Sequence, residues 1–198
     1  MTLLLPGSIA MAAIIVASNI LVQYPMGGYL TWGALTYPLA FLVSDLTNRL
    51  QGPAAARVVV YAGFAVGIAC SLLTPLVAFR VALGSGLAFL VAQLLDVAVF
   101  DSLRRSQWWK APLVSTLIGS TLDTAIFFAV AFSATLIWLE PGNDVSWATA
   151  ATPLLGFGPS APFWVSLAIA DWLVKLLLAV ITLLPFKLFV SKLMAPIA

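Results

Sequence analysis

Long apolar stretches alternate with short clusters of proline, glycine and charge along the whole chain. Six stretches stand out, at about Leu3–Val22, Trp32–Leu50, Arg57–Phe79, Val81–Leu103, Pro112–Trp138 and Phe163–Val190. A helix needs about 20 apolar residues to cross a hydrocarbon layer of about 30 Å, and each stretch has that length. The punctuation is equally clear. Pro25, Gly27 and Gly28 close the first stretch, and Gln51-Gly52-Pro53 makes a turn after the second. A basic hinge, Arg104 to Lys110, separates the fourth from the fifth. A connection over residues 139–162 carries four prolines, three glycines, Glu140 and Asp144. Pro185 predicts a bend late in the sixth helix. The pattern predicts an all-α polytopic membrane protein: one transmembrane domain over residues 1–198, six transmembrane helices, and an external loop at 139–162. The first stretch lacks the basic leader of a signal peptide and reads as transmembrane helix one.

Charge placement predicts the orientation. With six spans, Arg49, Arg57, Arg104, Arg105, Lys110, Lys187 and Lys192 fall on one side, while Arg80, Glu140 and Asp144 fall on the other. Lysine and arginine collect on the cytoplasmic side, so both termini are expected to be cytoplasmic. Trp108 and Trp109 on one side, and Trp32, Trp138, Trp147 and Trp164 on the other, fit two interfacial aromatic belts. No fixed-period repeat is visible, and a division into three plus three helices is weak.

Composition narrows the function. The 198 residues are 63% hydrophobic and 8% charged, against about 25% charged in a soluble domain. Mean hydropathy is +1.11. Histidine is absent, which excludes histidine relays, histidine metal sites and histidine-based triads. The single cysteine, Cys70, excludes an intramolecular disulfide and reads as a small packing residue. There is no Walker A loop, no HExxH and no GxSxG. The expectation is a protein that is not an enzyme, with no cofactor, no metal site and no nucleic-acid partner.

Against this apolar background the buried ionisable residues carry the chemistry. Asp45, Asp96, Asp123, Asp171 and Lys175 all fall inside predicted spans. Asp123 lies about 16 Å beyond Pro112, near mid-membrane, where a charge costs about 2.5–3.5 kcal/mol on insertion scales. Helix six carries two such groups, at a combined cost of about 5–7 kcal/mol. Asp171 and Lys175 are four residues apart and can form an ion pair, either as a structural bridge or as part of a site. Asp45 and Arg49 lie near a helix end, where both can reach the interface by snorkelling. Asp96 and Asp123 have no base nearby in sequence and read as functional. Polar neighbours share their faces: Asn19 with Gln23, and Gln93 with Asp96. Phe127 and Phe128 follow Asp123, and Trp172 adjoins Asp171. Ordinary aromatic packing is the commoner role for such residues. With an acid beside them they could instead hold a planar heterocycle, the ring stacking on an aromatic face and the carboxylate accepting its N–H groups. Gly63, Gly67 and Ser71 on one helix, and Ala10, Ala13 and Ala17 on another, form small-residue stripes. Packing within the chain is their first reading and an oligomer interface, such as a homodimer, the second.

Three segments, TWGALTYPLAFLVSDLTNRLQGPAAAR, QLLDVAVFDSLRRSQWWKAPLVSTLIGSTLDTAIFF and DWLVKLLLAVITLLPF, give the chain a resemblance to the queuosine precursor transporter family, also grouped as vitamin uptake transporters. The resemblance covers about Ser18 to Pro185, and SDLTNR, QLLDVAVF, GSTLDT and DWLVK in that order make it specific. It implies a six-helix bacterial inner-membrane protein that takes up 7-deazaguanine precursors such as preQ0 and preQ1. It also implies substrate-binding roles for the polar positions Asn19, Gln23, Asp45, Gln93, Asp96, Asp123, Asp171 and Lys175, with Arg49 and Thr124 at further matching positions; Phe127 and Trp172 join the substrate-binding candidates as the aromatics beside the acids. Trp172 departs from the family pattern, where tyrosine is more usual, and the 139–162 connection matches nothing in it. The alternative is the substrate-binding subunit of an energy-coupling-factor importer, which is also a small six-helix protein. An intramembrane enzyme or a scaffold is the third reading.

Overall fold

The computed structural model describes residues 4–73 and 78–193. Nine α-helices and two small hairpins run through them in the order α1 (Leu4–Leu21), β1 (Pro25–Met26), β2 (Leu30–Thr31), α2 (Gly33–Thr36), α3 (Leu39–Gln51), α4 (Pro53–Leu73), α5 (Phe79–Leu103), α6 (Lys110–Phe132), α7 (Ser146–Thr149), β3 (Ala151–Pro153), β4 (Ser160–Pro162), α8 (Phe163–Ile181) and α9 (Leu183–Leu193). Among the described residues, five helical segments are long and apolar enough to cross a membrane: α1, α4, α5, α6 and the bent α8–α9. The second predicted span takes a different form. It is divided into the four-residue α2 and the thirteen-residue α3. Pro38 between them has no N–H, and the chain passes through tight turns in which Ala40 N–H donates to Tyr37 O and Phe41 N–H to Pro38 O.

Other boundaries move for identifiable reasons. α4 begins at Pro53, because Gly52 at φ 92° stops α3 and proline suits the first helical position. Residues 74–77 of the third predicted span lie outside the described residues. The fifth helix ends at Phe132 instead of Trp138. Ser133 turns extended there, and a 3-10 turn over Ala134–Leu139 follows. The last helix breaks at Thr182, three residues ahead of Pro185, because a proline disturbs the turn that precedes it. The 139–162 connection is structured by α7 and the antiparallel pair β3–β4.

α5 and α6 are antiparallel and make the most extensive contact in the bundle. Glycine permits the closeness. A Cβ on Gly119 would lie 2.8 Å from the Phe41 ring, 3.3 Å from Ala92 O and 3.3 Å from Asp96 Cβ. The small-residue stripe on α4 packs within the chain, since a Cβ on Gly63 would come within 2.6 Å of Met11 on α1. Met11, Ile15, Val59, Val60, Phe89 and Val97 form the apolar core between α1, α4 and α5. Ile9, Val16, Ile20, Val58, Leu177 and Val180 are exposed. A water-soluble protein would cover such a surface, whereas lipid solvates it.

The bundle has two unlike ends. At one, the hinge end, the Arg49 guanidinium donates to Arg104 O at 2.5 Å and the Arg104 guanidinium to Arg49 O at 2.9 Å. Arg49 also lies over the Phe100 ring, 5.2 Å from its centroid. At the other, the hairpin end, Glu140 accepts from the backbone N–H groups of Phe79 and Arg80 and so caps the start of α5. In return the Arg80 guanidinium donates to Val130 O and Ser133 O and caps the end of α6. Each charge sits at the helix pole it complements. A train of rings, Tyr29–Phe163–Trp147–Phe132–Phe127, joins the hairpins to α6.

Candidate functional site

The polar residues predicted inside the spans gather into two layers along α6. Thr116, Ser120 and Asp123 recur at helical spacing on one buried face of that helix. Thr116 lies about 9 Å from the hinge end of α6, and Asp123 lies about 10 Å further on.

The hinge-side layer joins α3, α5 and α6. Asp45 on α3 is 2% exposed and Asp96 on α5 is 0% exposed. The two acids lie within electrostatic reach of each other. Ser115 and Thr116 donate to the two oxygens of Asp45, each at 3.3 Å, and Ser44 donates to Asp96 Oδ2 at 3.4 Å. The Asn48 amide donates to Val97 O at 3.0 Å. No lysine or arginine is paired with either acid among the described residues. Gln93 lies one turn from Asp96 on the same face and is 1% exposed. Neither Gln93 amide atom has a hydrogen-bond partner, and neither have Asp96 Oδ1 and Asn48 Oδ1. A buried polar group left unpaired costs about 1–3 kcal/mol, so this layer holds unspent hydrogen-bonding capacity.

The hairpin-side layer joins α6 and α8 and is satisfied. Lys175, 3% exposed, donates to Asp123 Oδ2 at 2.6 Å, to Asp171 Oδ2 at 2.5 Å and to Thr124 Oγ1 at 2.9 Å. The Thr124 hydroxyl donates in turn to Asp171 Oδ2 at 2.9 Å. An ammonium has three donors, and all three are used. Tyr37, whose ring meets Phe89 edge-on, lies within electrostatic reach of both acids.

Several sequence-predicted site residues stand apart from both layers. Arg49 does not pair with Asp45: its guanidinium is held by Arg104 O and Phe100, so Asp45 turns into the bundle and not toward the interface. Gln23 is exposed beyond the end of α1 and bonds Asn19 O, while the Asn19 amide bonds Ile15 O. The Trp172 indole N–H donates to Thr121 Oγ1 on an exposed edge of α6, so its polar edge is turned away from the acids. Phe127 packs in the aromatic train. Ser44, Asn48, Ser115 and Thr116 were not singled out in the sequence, although the 116-120-123 spacing on α6 signals them in part. A cavity of about 20 Å³ between α1, α4 and α5 is lined in part by Asn19, Tyr37, Ser71, Ser85 and Phe89. It has room for a single water and is too small for a two-ring heterocycle.

Comparison with known proteins follows the same residues. A family model described as "Putative vitamin uptake transporter" matches residues 31–190. The chain belongs to this family. The "Queuosine precursor transporter" of Escherichia coli (strain K12) is 32% identical over 194 residues, covering 87% of this chain and 79% of that protein. The "Probable queuosine precursor transporter" of Haemophilus influenzae (strain ATCC 51907 / DSM 11121 / KW20 / Rd) is 34% identical over 206 residues, with the same coverages of 87% and 79%. Its namesake in Bacillus subtilis (strain 168) is 30% identical over 192 residues, covering 84% and 73%. No solved structure matches. As a member of the vitamin uptake transporter family with bacterial relatives and five membrane-length apolar helices, the chain is a multi-pass inner-membrane protein. The matched segment, 31–190, contains every residue of the two polar layers and omits all of α1.

Proposed function

We propose that this chain imports queuosine precursors of the 7-deazaguanine class, such as preQ0 and preQ1, as a stand-alone secondary transporter and not as an enzyme. The relatives' transporter names support the class of activity. They lend nothing to the energy-coupling-factor alternative.

The observation that carries the binding reading is Gln93, buried with both amide atoms unpaired beside the unpaired Asp96 Oδ1. A guanine-like ring presents a lactam edge with one N–H donor and one C=O acceptor side by side, followed by an exocyclic amine. A carboxamide complements the lactam with two hydrogen bonds, and a carboxylate oxygen one helical turn away accepts from the amine. Asp45 and Ser44 orient Asp96 from behind. Asp123, Asp171 and Lys175 bound the far end of the same α5–α6 face, about 10 Å away, where a substituent on the five-membered ring would lie. Phe127, Trp172, Asn19 and Gln23 lie apart from this contact set and take no direct part in it. Gln93 and Asp96 are both buried, so a helix packed on the α5–α6 pair moves to admit the ring.

The test is uptake in cells that can neither synthesise queuosine nor import its precursors. The chain is expressed, preQ0, preQ1 or queuine is supplied, and queuosine is assayed in tRNA. Restored queuosine, lost in Gln93→Leu and Asp96→Asn at equal membrane abundance, is the expected result. Full uptake by both variants refutes the proposed site, and no uptake by well-expressed wild type refutes the function. Uptake by the purified chain in liposomes, without an ATPase, separates a stand-alone transporter from an importer subunit.

A further inference from the structure

We propose that the Arg49–Arg104 guanidinium pair at the hinge end is a binding site for the phosphate of an acidic phospholipid. Neither residue belongs to the two polar layers. Each guanidinium donates to the other's backbone carbonyl, at 2.5 and 2.9 Å, so two cations are held side by side where α3 and α5 end. A guanidinium has five N–H groups, and these bonds use a small part of them. Arg49 Nη2 is buried without a hydrogen-bond partner. The Phe100 and Phe186 rings, 5.2 and 6.0 Å from the Arg49 guanidinium, hold it in place but supply no anion.

The pair lacks a counter-ion. Among the described residues the one carboxylate paired with either is Asp101, whose Oδ1 is 3.9 Å from Arg104 Nη1 and too far to accept a hydrogen bond. Arg104 Nη1 also lies 3.5 Å from the point where a Cβ on Gly52 would stand, one residue before α4 begins. The first turn of a helix leaves N–H groups unbonded and carries positive potential, and the first turn of α4 contains no acid. At the hairpin end, Glu140 meets the corresponding pole of α5. At the hinge end that pole meets a further positive charge in place of an anion. Phosphate suits the vacancy, because a guanidinium binds it through two parallel N–H groups.

Two features select a lipid as the source of that phosphate. The first is height. Lys187 lies 5.1 Å over the Trp108 ring and Lys110 5.8 Å over the Trp109 ring, and tryptophans with long cations at helix ends mark the headgroup level of a bilayer. The second is the neighbouring surface. Leu184, Leu188 and Phe189 on α9 flank Lys187 and are exposed, so acyl chains have an apolar face beside the headgroup. The Arg104 side chain is 34% exposed and meets the phosphate, while Arg49 stands behind it and adds its charge. Arg57, Arg105 and Lys187 are exposed and concentrate acidic lipid nearby. A bound phosphate joins the α3–α4 turn to the end of α5, so the lipid should stabilise the folded chain.

The test uses purified full-length chain in a neutral detergent, titrated separately with phosphatidylglycerol, phosphatidylcholine and inorganic phosphate. The melting temperature and the lipid retained in native mass spectra are read. Phosphatidylglycerol should raise the melting temperature by several degrees and remain bound, whereas phosphatidylcholine and millimolar phosphate should do neither. Arg104→Gln should lose most of that shift. Lys192→Gln removes the same charge from the exposed last turn of α9 and should keep it. Arg104→Lys keeps the charge without the planar fork and should lose part of the shift; it decides the matter where Arg104→Gln does not fold. Equal protection by the two lipids, equal loss in Arg104→Gln and Lys192→Gln, or a full shift in Arg104→Lys overturns the site. Protection by inorganic phosphate equal to that by phosphatidylglycerol overturns the lipid as its occupant.

Discussion

The two polar layers contain nearly the same chemistry and have opposite balances. Each has two aspartates, all buried except the partly buried Asp171, and hydroxyl groups contributed by α6. The hairpin-side layer adds Lys175, and there the ammonium spends all three donors. The hinge-side layer has no cation and leaves the Gln93 amide and Asp96 Oδ1 unpaired. A satisfied buried charge cluster is a tie between helices, whereas an unsatisfied one is a place for something else to bind. Acidity alone does not mark a site inside a membrane; unmet hydrogen bonds do.

The largest expected effect tests the tie. Lys175→Met leaves Asp123 and Asp171 without their cation and should cost about 3–5 kcal/mol. It is read as loss of folded protein by size-exclusion chromatography or thermal melting in detergent. A stable Lys175→Met protein would show that the triad is not what joins α6 to α8. Next is the site. On the proposed binding reading, Gln93→Leu removes two hydrogen bonds to the ring and should weaken binding by about 2–3 kcal/mol, roughly 30–150-fold. Because it also removes two unpaired polar atoms, it should leave the melting temperature equal or higher. A variant that loses binding and stability together would assign Gln93 to the core. Smaller again is Glu140→Gln, which weakens the cap on α5 at a cost of about 1 kcal/mol. The Glu140 carboxyl is held below the usual carboxylate range, chiefly by the Arg80 backbone N–H, with help from the Phe79 N–H and the Asn143 amide. Its contribution is present above the ordinary carboxylate range and is lost as pH falls through the lowered value, so acid melting should flatten in Glu140→Gln. The smallest effect is Trp172→Phe. It loses one partly exposed hydrogen bond to Thr121, worth about 0.5–1 kcal/mol, and should not change substrate affinity.

Much of the fold was legible because lipid imposes a simple rule: twenty apolar residues in a row make a helix. The exception is instructive. Pro38 divides the second span, yet the apolar run on either side hides the break. The candidate site's acids were legible in the sequence and their partners were not. Asp96, Asp123, Asp171 and Lys175 are conspicuous against leucine, and the Asp171–Lys175 contact follows from their spacing. That Lys175 also holds Asp123 depends on how α8 meets α6, which no local pattern encodes. The expectation that both Asp45 and Arg49 reach the interface fails for Asp45, which is buried in the bundle. Arg104 O and Phe100 hold the Arg49 guanidinium at the hinge end. Ser115 and Ser44 resemble packing residues in sequence, and they acquire meaning only from the carboxylates facing them.

The most direct test of the distinction between the layers is substrate affinity in detergent-solubilised wild type, Gln93→Leu and Trp172→Phe, measured with preQ1 and preQ0 by calorimetry or thermal shift. The account predicts a loss of roughly 30–150-fold in Gln93→Leu, at undiminished stability, with Trp172→Phe equal to wild type. Equal affinity in Gln93→Leu, or a loss confined to Trp172→Phe, would place recognition outside the hinge-side layer and contradict the account.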